Sequence, residues 1–437
     1  MLNSSFYGGI HPEDSKTSTN TKKILNLRPP KKAIIPLQQH TGAICKPLVD
    51  IGDIVKVGQK IGDAQAFISA PVHATISGKV VDISPMLHPL GTKVLSIIIE
   101  SDESDTWAIE ETKRDWKTLK AEQIKHIIRE AGIVGLGGAA FPTHVKLSPP
   151  ENKKVDTYIL NGAECEPFLT ADHSLMLQYA KQIVIGLKIL MKATGVRKGI
   201  IGIEQNKPDA LKEITDEINK ESDTDVDIMA LKVKYPQGAE KQLIKALLKR
   251  EVPSGGLPMD VGVIVSNVGT SFSVYESVVE RKPLVERIVT VTGGGIRNPQ
   301  NLRVRIGTPF SNLIEACEGV KEEIGKIIMG GPMMGIAQYT TDVPVIKGTS
   351  GILVQTKDEI CDEPEECCIR CGNCAGVCPM KILPNVITNS IKNDQFEHAK
   401  EYGLLDCMEC GACTYVCPAH IPIVQYIKYG KTQLRKI

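Results

Sequence analysis

Eight cysteines near the carboxyl end carry the clearest chemistry. Cys368, Cys371, Cys374 and Cys378-Pro379 read C-x2-C-x2-C-x3-C-P, and Cys407, Cys410, Cys413 and Cys417-Pro418 repeat the run. This is the spacing of a chain that binds two [4Fe–4S] clusters. Three closely spaced thiolates wrap one corner of a cubane. The fourth, set apart by a longer gap and a proline, reaches the other cluster. Cys368, Cys371, Cys374 and Cys417 are therefore assigned to one cluster, and Cys407, Cys410, Cys413 and Cys378 to the second. Zinc is the competing use, but zinc knuckles come as paired C-x2-C and need no third two-residue gap followed by x3-C-P. Swapped fourth ligands make the clusters neighbours, which is the geometry of an electron wire. Cys45, Cys165, Cys317, Cys361 and Cys367 are read as reduced thiols.

A second set of polar residues and glycines lies mid-chain. Asn161-Gly-Ala-Glu164-Cys-Glu166-Pro167, Tyr235-Pro-Gln-Gly238-Ala-Glu240 and Asn267-Val-Gly-Thr270 each follow an apolar run. Upstream stands Gly132-Ile-Val-Gly135-Leu-Gly137-Gly138-Ala-Ala-Phe141-Pro142, then Lys146. Its glycines let a backbone lie flat against a planar ligand or a phosphate, and Lys146 suits a phosphate or carboxyl group. It is not the dinucleotide fingerprint, because it follows a helix-like stretch (AEQIKHIIREA) instead of a strand.

These segments need a scaffold. VDTYIL (155–160), GIIGIE (199–204), IMALKVK (228–234) and VGVIVS (261–266) are β-branched runs of strand length. Helical patterns over about 173–192, 208–220 and 239–250 alternate with them. The order βαβαβαβ predicts a doubly wound parallel α/β sheet. Ligands bind beyond the carboxyl ends of such strands, where three of the polar segments fall. Residues 379–406, between the cysteine runs, read as helical.

Composition bounds the rest. At roughly 150 residues per domain, 437 residues suggest about three domains. Lys+Arg 52 against Asp+Glu 51 leaves no positive field, which argues against a nucleic-acid binder. No apolar run is long enough to cross a membrane, and the opening stretch lacks the basic-then-apolar order of a secretory signal. A cytosolic setting, where disulfides are rare, is expected.

GIVGLGGAAFPTHVKL together with NGAECEP resembles the flavin-binding subunit of respiratory complex I, and Tyr235/Gly238/Glu240 resembles that family's Y-x-x-G-E-E segment. The resemblance implies that Asn161, Gly238, Asn267 and Thr270 contact a non-covalent FMN. It places Phe141, Glu164, Glu166 and Glu240 near NAD(H), with Lys146 available to either. Ala163 stands where that family has an acid, and Ala239 replaces the first glutamate of its pair. Residues 31–100 resemble a lipoyl- or biotinyl-like barrel-sandwich, but Gly62–Phe67 has no lysine to carry a swinging group, so a scaffold is expected. His73 and His88 within it are read as structural. Residues 286–335 resemble the soluble-ligand-binding β-grasp module of complex I. In MGGPMMG (329–335), approach to the flavin and a plain turn are equally open. The spacer between the cysteine runs resembles the helical type of dicluster domain.

The resulting fold class is multidomain α/β, in four parts. These are an N-terminal segment with a barrel-sandwich domain (1–115), an FMN/NADH-binding α/β domain (116–285), a β-grasp module (286–358) and a dicluster [4Fe–4S] domain (359–437). This order, with GGIHPEDSK (Gly8, Gly9, His11, Pro12, Lys16) near the start, resembles the RnfC family of the Rnf electron-transport complex. That family implies electron transfer between NAD(H), FMN and the clusters, with no side-chain acid or base required. It implies integral membrane flavoprotein partners and a ferredoxin-like partner, Na+ or H+ movement in those partners, and a peripheral place on the cytoplasmic side of the membrane. A soluble NADH-dependent reductase of the cobalamin-reductase kind and a cluster-only relay are the alternatives.

Overall fold

The computed structural model describes residues 5–109, 112–220, 225–321 and 323–436; the first four residues of the opening stretch lie outside these. The barrel-sandwich is built from two small sheets. One orders strands Lys32–Pro36, Lys93–Ser101, Gly78–Leu87 and Ile54–Val55, and the other Lys46–Pro47, Lys60–Asp63 and Val72–His73. Alternate residues such as Ile35, Ile61, Val72, Val80, Ile97 and Ile99 point between the sheets and are fully buried or nearly so. His73 is buried here, and desolvation pushes it down to about 3, as expected of a neutral structural histidine.

The central sheet explains where a ligand can sit. Helices α1 (Ala121–Glu130) and α2 (Thr143–Lys146) precede β1 (Thr157–Gly162). Then come α3 (Ala171–Gln178), α4 (Ala180–Thr194), β2 (Lys198–Glu204), α5 (Pro208–Asn219), β3 (Val226–Leu231), α6 (Glu240–Leu248), β4 (Val263–Asn267) and α7 (Val268–Val278). All pairings are parallel, in the order β3-β2-β1-β4. Apolar residues of α1, α4, α5 and α7, including Ile124, Leu187, Ile214 and Val274, form the core on one face. On the other, α6 buries Leu243, Ile244 and Leu247 against Ile159, Ile200 and Val265. The strand order reverses between β1 and β4, which is where such sheets open a crevice. Pro208 sits in the first turn of α5, where its missing N–H costs nothing. The single helix expected over 173–192 is instead two, broken at Tyr179, whose φ of −134° is not helical and whose ring lies 4.8 Å from that of Phe272.

A mixed sheet follows, with β5 (Glu286–Thr292), β6 (Gln300–Arg305), β7 (Ile324–Met329) and β8 (Gly351–Thr356). Helix α8 (Phe310–Ala316) buries Phe310, Leu313 and Ile314 in its core. The N-terminal strand Leu25–Asn26 adds to its edge, parallel to β6, so the chain visits this sheet before it builds the barrel-sandwich. The last region is helical: α9 (Asn373–Gly376), α10 (Pro384–Lys392), α11 (Phe396–Glu401), α12 (Ala412–Tyr415) and α13 (Ile423–Leu434). Ile387, Ile391, Leu404 and Ile427 are its buried centre.

Candidate functional site

Asn161 and Asn267 end adjacent strands in register, side by side at the reversal of the sheet. Asn161 donates from Nδ2 to the Gly238 carbonyl at 2.7 Å and accepts the Ala163 N–H at 3.1 Å. Asn267 caps α7 by accepting the Gly269 N–H at 2.7 Å, and its amide donates to Asp172 at 2.6 Å. The Asn side chain supplies both donor and acceptor, so each asparagine joins two loops. Thr270 Oγ accepts the Leu136 N–H at 3.0 Å, tying the glycine loop to the first turn of α7. In that loop Gly135 donates to the Phe141 carbonyl, which leaves Gly137 and Gly138 at an exposed tip. A Cβ on Gly137 would stand 2.9 Å from Asn267, and Gly138 faces open space. The rim therefore has a flat glycine wall beside two amides, a cradle suited to a planar heterocycle. Beside it, half-buried Asp172 is raised by desolvation and by its neighbour Glu164.

The loop after β1 is held by two buried lysines. Lys207 Nζ donates to the Ala163 carbonyl at 2.7 Å and pairs with Glu204 at 3.3 Å. Lys16 Nζ donates to the carbonyls of Glu164 (3.0 Å), Glu166 (2.8 Å) and Leu169. The glutamates of the loop turn to other tasks. Glu164 accepts the N–H groups of Asp172 and His173, at 2.7 and 3.1 Å, and so closes the start of α3. Glu166 accepts the amides of Met333 and Met334 at 3.2 and 2.9 Å. A Cβ on Gly331 would meet Glu166 Oε2 at 2.2 Å, so the MGGPMMG turn closes on a glutamate. Desolvation pushes that carboxyl up to about 7 against the two amides that hold its charge. Ala163 is fully buried in the α6 core, so the position where the complex I family carries an acid is packing here.

The loop after β3 connects this rim to the cysteines. Gly238 N–H points at Cys165 Sγ, 3.2 Å away. Burial pushes the Cys165 thiol up to about 12. Tyr235 is 2% exposed, and its hydroxyl donates to the Cys410 carbonyl at 2.6 Å. Next to it, fully buried Gln237 leaves both amide atoms without a partner among the described residues. Lys146 and Glu240 form an ion pair at 2.9 Å, and Lys146 also donates to the Val265 carbonyl.

The eight cysteines separate into two fours. One cavity is lined by Cys368, Cys371, Cys374 and Cys417, and another by Cys378, Cys407, Cys410 and Cys413. Each set draws its fourth member from the other run. Among the described residues no three His, Cys, Asp or Glu side chains close on a single bare ion; the sulfurs surround space instead. Asn385 Oδ1 and Thr388 Oγ, both buried and unpartnered among the described residues, belong to residues lining the first cavity. All-thiolate donors around a cavity fit an iron–sulfur cubane. Burial raises the thiols of Cys374, Cys407, Cys410 and Cys413, so iron binding there must release protons.

The structure thus groups Gly135, Gly137, Gly138, Asn161, Asn267 and Thr270 at one rim. Tyr235, Gly238 and Glu166 stand between that rim and Cys410. Glu164 is turned into α3, and Lys146 and Glu240 into each other. Sequence reasoning missed Lys207, Asp172 and Gln237, which stand among ordinary polar residues, and gave Lys16 no task although its motif was visible.

Family models match the chain along almost its whole length. They are the RnfC barrel sandwich hybrid domain over residues 4–104, the Nuo51 FMN-binding domain over 128–276, the SLBB domain over 288–337 and a 4Fe-4S dicluster domain over 367–421. The chain is 51% identical to the C subunit of the proton-translocating ferredoxin:NAD(+) oxidoreductase complex of Clostridium ljungdahlii, over 99% of this chain and 94% of that one. It is 48% identical to the C subunit of the Na(+)-translocating ferredoxin:NAD(+) oxidoreductase complex of Acetobacterium woodii, over 98% and 97%. It is 41% identical to the C subunit of the ion-translocating oxidoreductase complex of Rhodobacter capsulatus, over 98% and 83%. Among solved structures, a chain of a NAD+-reducing [NiFe]-hydrogenase shares the fold, with a TM-score of 0.50 and 17% identity over 75% of this chain and 69% of that one.

Proposed function

Because the chain belongs to the RnfC family of ion-translocating oxidoreductase complexes, we propose that it is the NAD(H)-side electron-transfer component of a ferredoxin:NAD+ oxidoreductase. Its cofactors are FMN and two [4Fe–4S] clusters, and NAD(H) is its substrate. The chemistry supplied when these are bound is the conversion of a hydride's electron pair into single electrons.

The chain's own residues bind and orient. Gly137 and Gly138 leave a flat face for the ring, and the amides of Asn161 and Asn267 offer it hydrogen bonds. Thr270, in the first turn of α7, sits where backbone N–H groups favour a phosphate. Lys146 and Glu240 are the charged pair that a nucleotide would meet, with Phe141 beside the glycine tip. Cys378, Cys407, Cys410 and Cys413 hold the cluster nearer the flavin, because Tyr235 joins their cavity to the rim. Cys368, Cys371, Cys374 and Cys417 hold the outer cluster. Cys368 and Cys371 are exposed there, and Ile369 is 69% exposed, which suits an exit to a partner.

The architecture we assign is an N-terminal segment with a barrel-sandwich domain (1–115), a doubly wound flavin domain (116–285), a β-grasp module (286–358) and a helical dicluster domain (359–437). The partners are membrane proteins of the complex, flavoproteins and a ferredoxin-like protein, on whose cytoplasmic side this chain sits. No helix among the described residues is long and apolar enough to cross a membrane, so Na+ or H+ movement falls to those partners. One observation carries the reading: two four-cysteine cavities, one of them hydrogen-bonded through Tyr235 to the loop holding Gly238. Anaerobic protein should contain flavin and iron for two clusters, and NADH should bleach both the flavin and the cluster bands. Iron without a flavin response would leave only a cluster relay.

A further inference from the structure

The opening GGIHPEDSK motif takes no part in binding as described so far, yet it is tied to distant parts of the chain at several points along its length. At one end Gly9 N–H donates to the Val377 carbonyl at 2.7 Å. Gly8, with φ +71°, lies so close that a Cβ would stand 2.7 Å from the Val377 oxygen and 2.9 Å from that of Cys378. In the middle Ile10 and Tyr235 exchange both backbone hydrogen bonds, at 2.8 and 2.9 Å. Gly9, with φ +80°, has no room for a side chain beside the Tyr235 carbonyl. At the far end the Asp14 carbonyl accepts Phe168 N–H at 2.8 Å. Lys16, 4% exposed, then spends its ammonium on three carbonyls of the loop after β1.

The chemistry of Lys16 is informative. An ammonium has three donors and no acceptor, and burying one is costly unless every donor is used. Three carbonyls from one six-residue stretch use them all, with no carboxylate among the described residues within hydrogen-bond reach. A surface ion pair would not need this arrangement. A short segment thus touches, in order, the backbone of a cluster-binding cysteine, the tyrosine that bonds Cys410, and the loop between Asn161 and α3. Cys378 and Cys410 belong to the same four, so that cavity is gripped on two sides by groups paired to one segment.

We propose that Gly8–Lys16 is a positioning strap that fixes the separation between the flavin rim and the cluster of Cys378, Cys407, Cys410 and Cys413, with Gly8 and Lys16 as its two anchors. This rests on the functional reading above and adds a role for a segment to which that reading gives none. The step it governs moves one electron at a time from the flavin to the cluster, and no bond within the protein forms or breaks. Hydride transfer from NADH depends on the rim residues instead.

The test uses the full chain, purified anaerobically, as Gly8→Ala and as Lys16→Met. Iron and flavin are quantified, cluster midpoint potentials are measured, and rapid mixing with NADH follows the flavin and cluster bands separately. In Gly8→Ala the flavin phase should keep its rate while the cluster phase slows about tenfold or more, with the midpoint potential unchanged. Lys16→Met, which disturbs the strap from its other end, should slow the cluster phase more than the flavin phase. A cluster phase at the parental rate in either variant that retains flavin and iron would overturn the strap. Absence of a flavin phase in the parent protein would instead overturn the functional reading.

Discussion

The two cysteine runs share spacing and backbone but not surroundings. Gly372 and Gly411 take φ of 79° and 82°, Arg370 and Glu409 take 56° and 60°, and each glycine opens a one-turn helix carrying the third cysteine. Yet in the first run Cys368 and Cys371 are exposed beside Ile369, while in the second Cys410 and Cys413 are each 7% exposed. Gly411 lies under the Met333 carbonyl, and Cys410 under the Tyr235 hydroxyl. The motif specifies what is held. On the proposed reading the neighbours specify which cluster faces the flavin and which faces outward, so that two runs of the same spacing become unequal ends of a wire.

The largest effects should come from removing ligands. Cys371→Ala and Cys410→Ala should each lose a cluster. Cys410→Ala should also loosen the contact with Tyr235, so its melting temperature should fall further. Full iron content in Cys371→Ala would break the assignment. Next comes the lysine that holds the inner side. Lys16→Met leaves three carbonyls short of a charged donor, each worth roughly 1–3 kcal/mol when buried. Set against the burial cost it removes, a loss of about 3 kcal/mol in denaturant unfolding is expected. Tyr235→Phe removes one hydrogen bond, a change of about 1 kcal/mol. It should alter the EPR spectrum of the inner cluster and leave that of the outer one as it was.

The smallest effect sharpens the comparison through pH. Glu166, facing Lys16, Tyr235 and the Met333 and Met334 amides, is pushed up to about 7 by desolvation. The fold therefore binds its proton more tightly than the unfolded chain does. Its cost to stability grows as pH rises from the ordinary carboxylate range to about 7, and is fully present above that. Glu166→Gln keeps an acceptor without the charge. The melting-temperature advantage of the glutamine variant should widen from about pH 5 to about pH 8; a constant difference would show that the carboxyl is not desolvated.

Much of this was legible in the sequence because it is local. The 2-2-3 cysteine gaps, the Asn161 and Asn267 ends of β-branched runs and the glycine tip are each patterns within a few residues. What escaped is non-local. Leu25–Asn26 pairs with β6, far along the chain, and nothing in two residues announces that. Tyr179 breaks a helix without glycine or proline, by packing on Phe272. Glu164 and Glu166 look like exposed acids, but their partners are the amides of α3 and of the Met333 turn. Lys16 was visible in a motif, but its role depends on carbonyls about 150 residues away.

The most direct test of the central claim is rapid mixing of anaerobic Cys371→Ala protein with NADH, followed by EPR of the remaining cluster. That cluster is the inner one on this account, so it should be reduced as fast as in the parent protein. Failure of NADH to reduce it, with rapid reduction of the surviving cluster in Cys410→Ala instead, would place the flavin beside the other four cysteines and contradict the account.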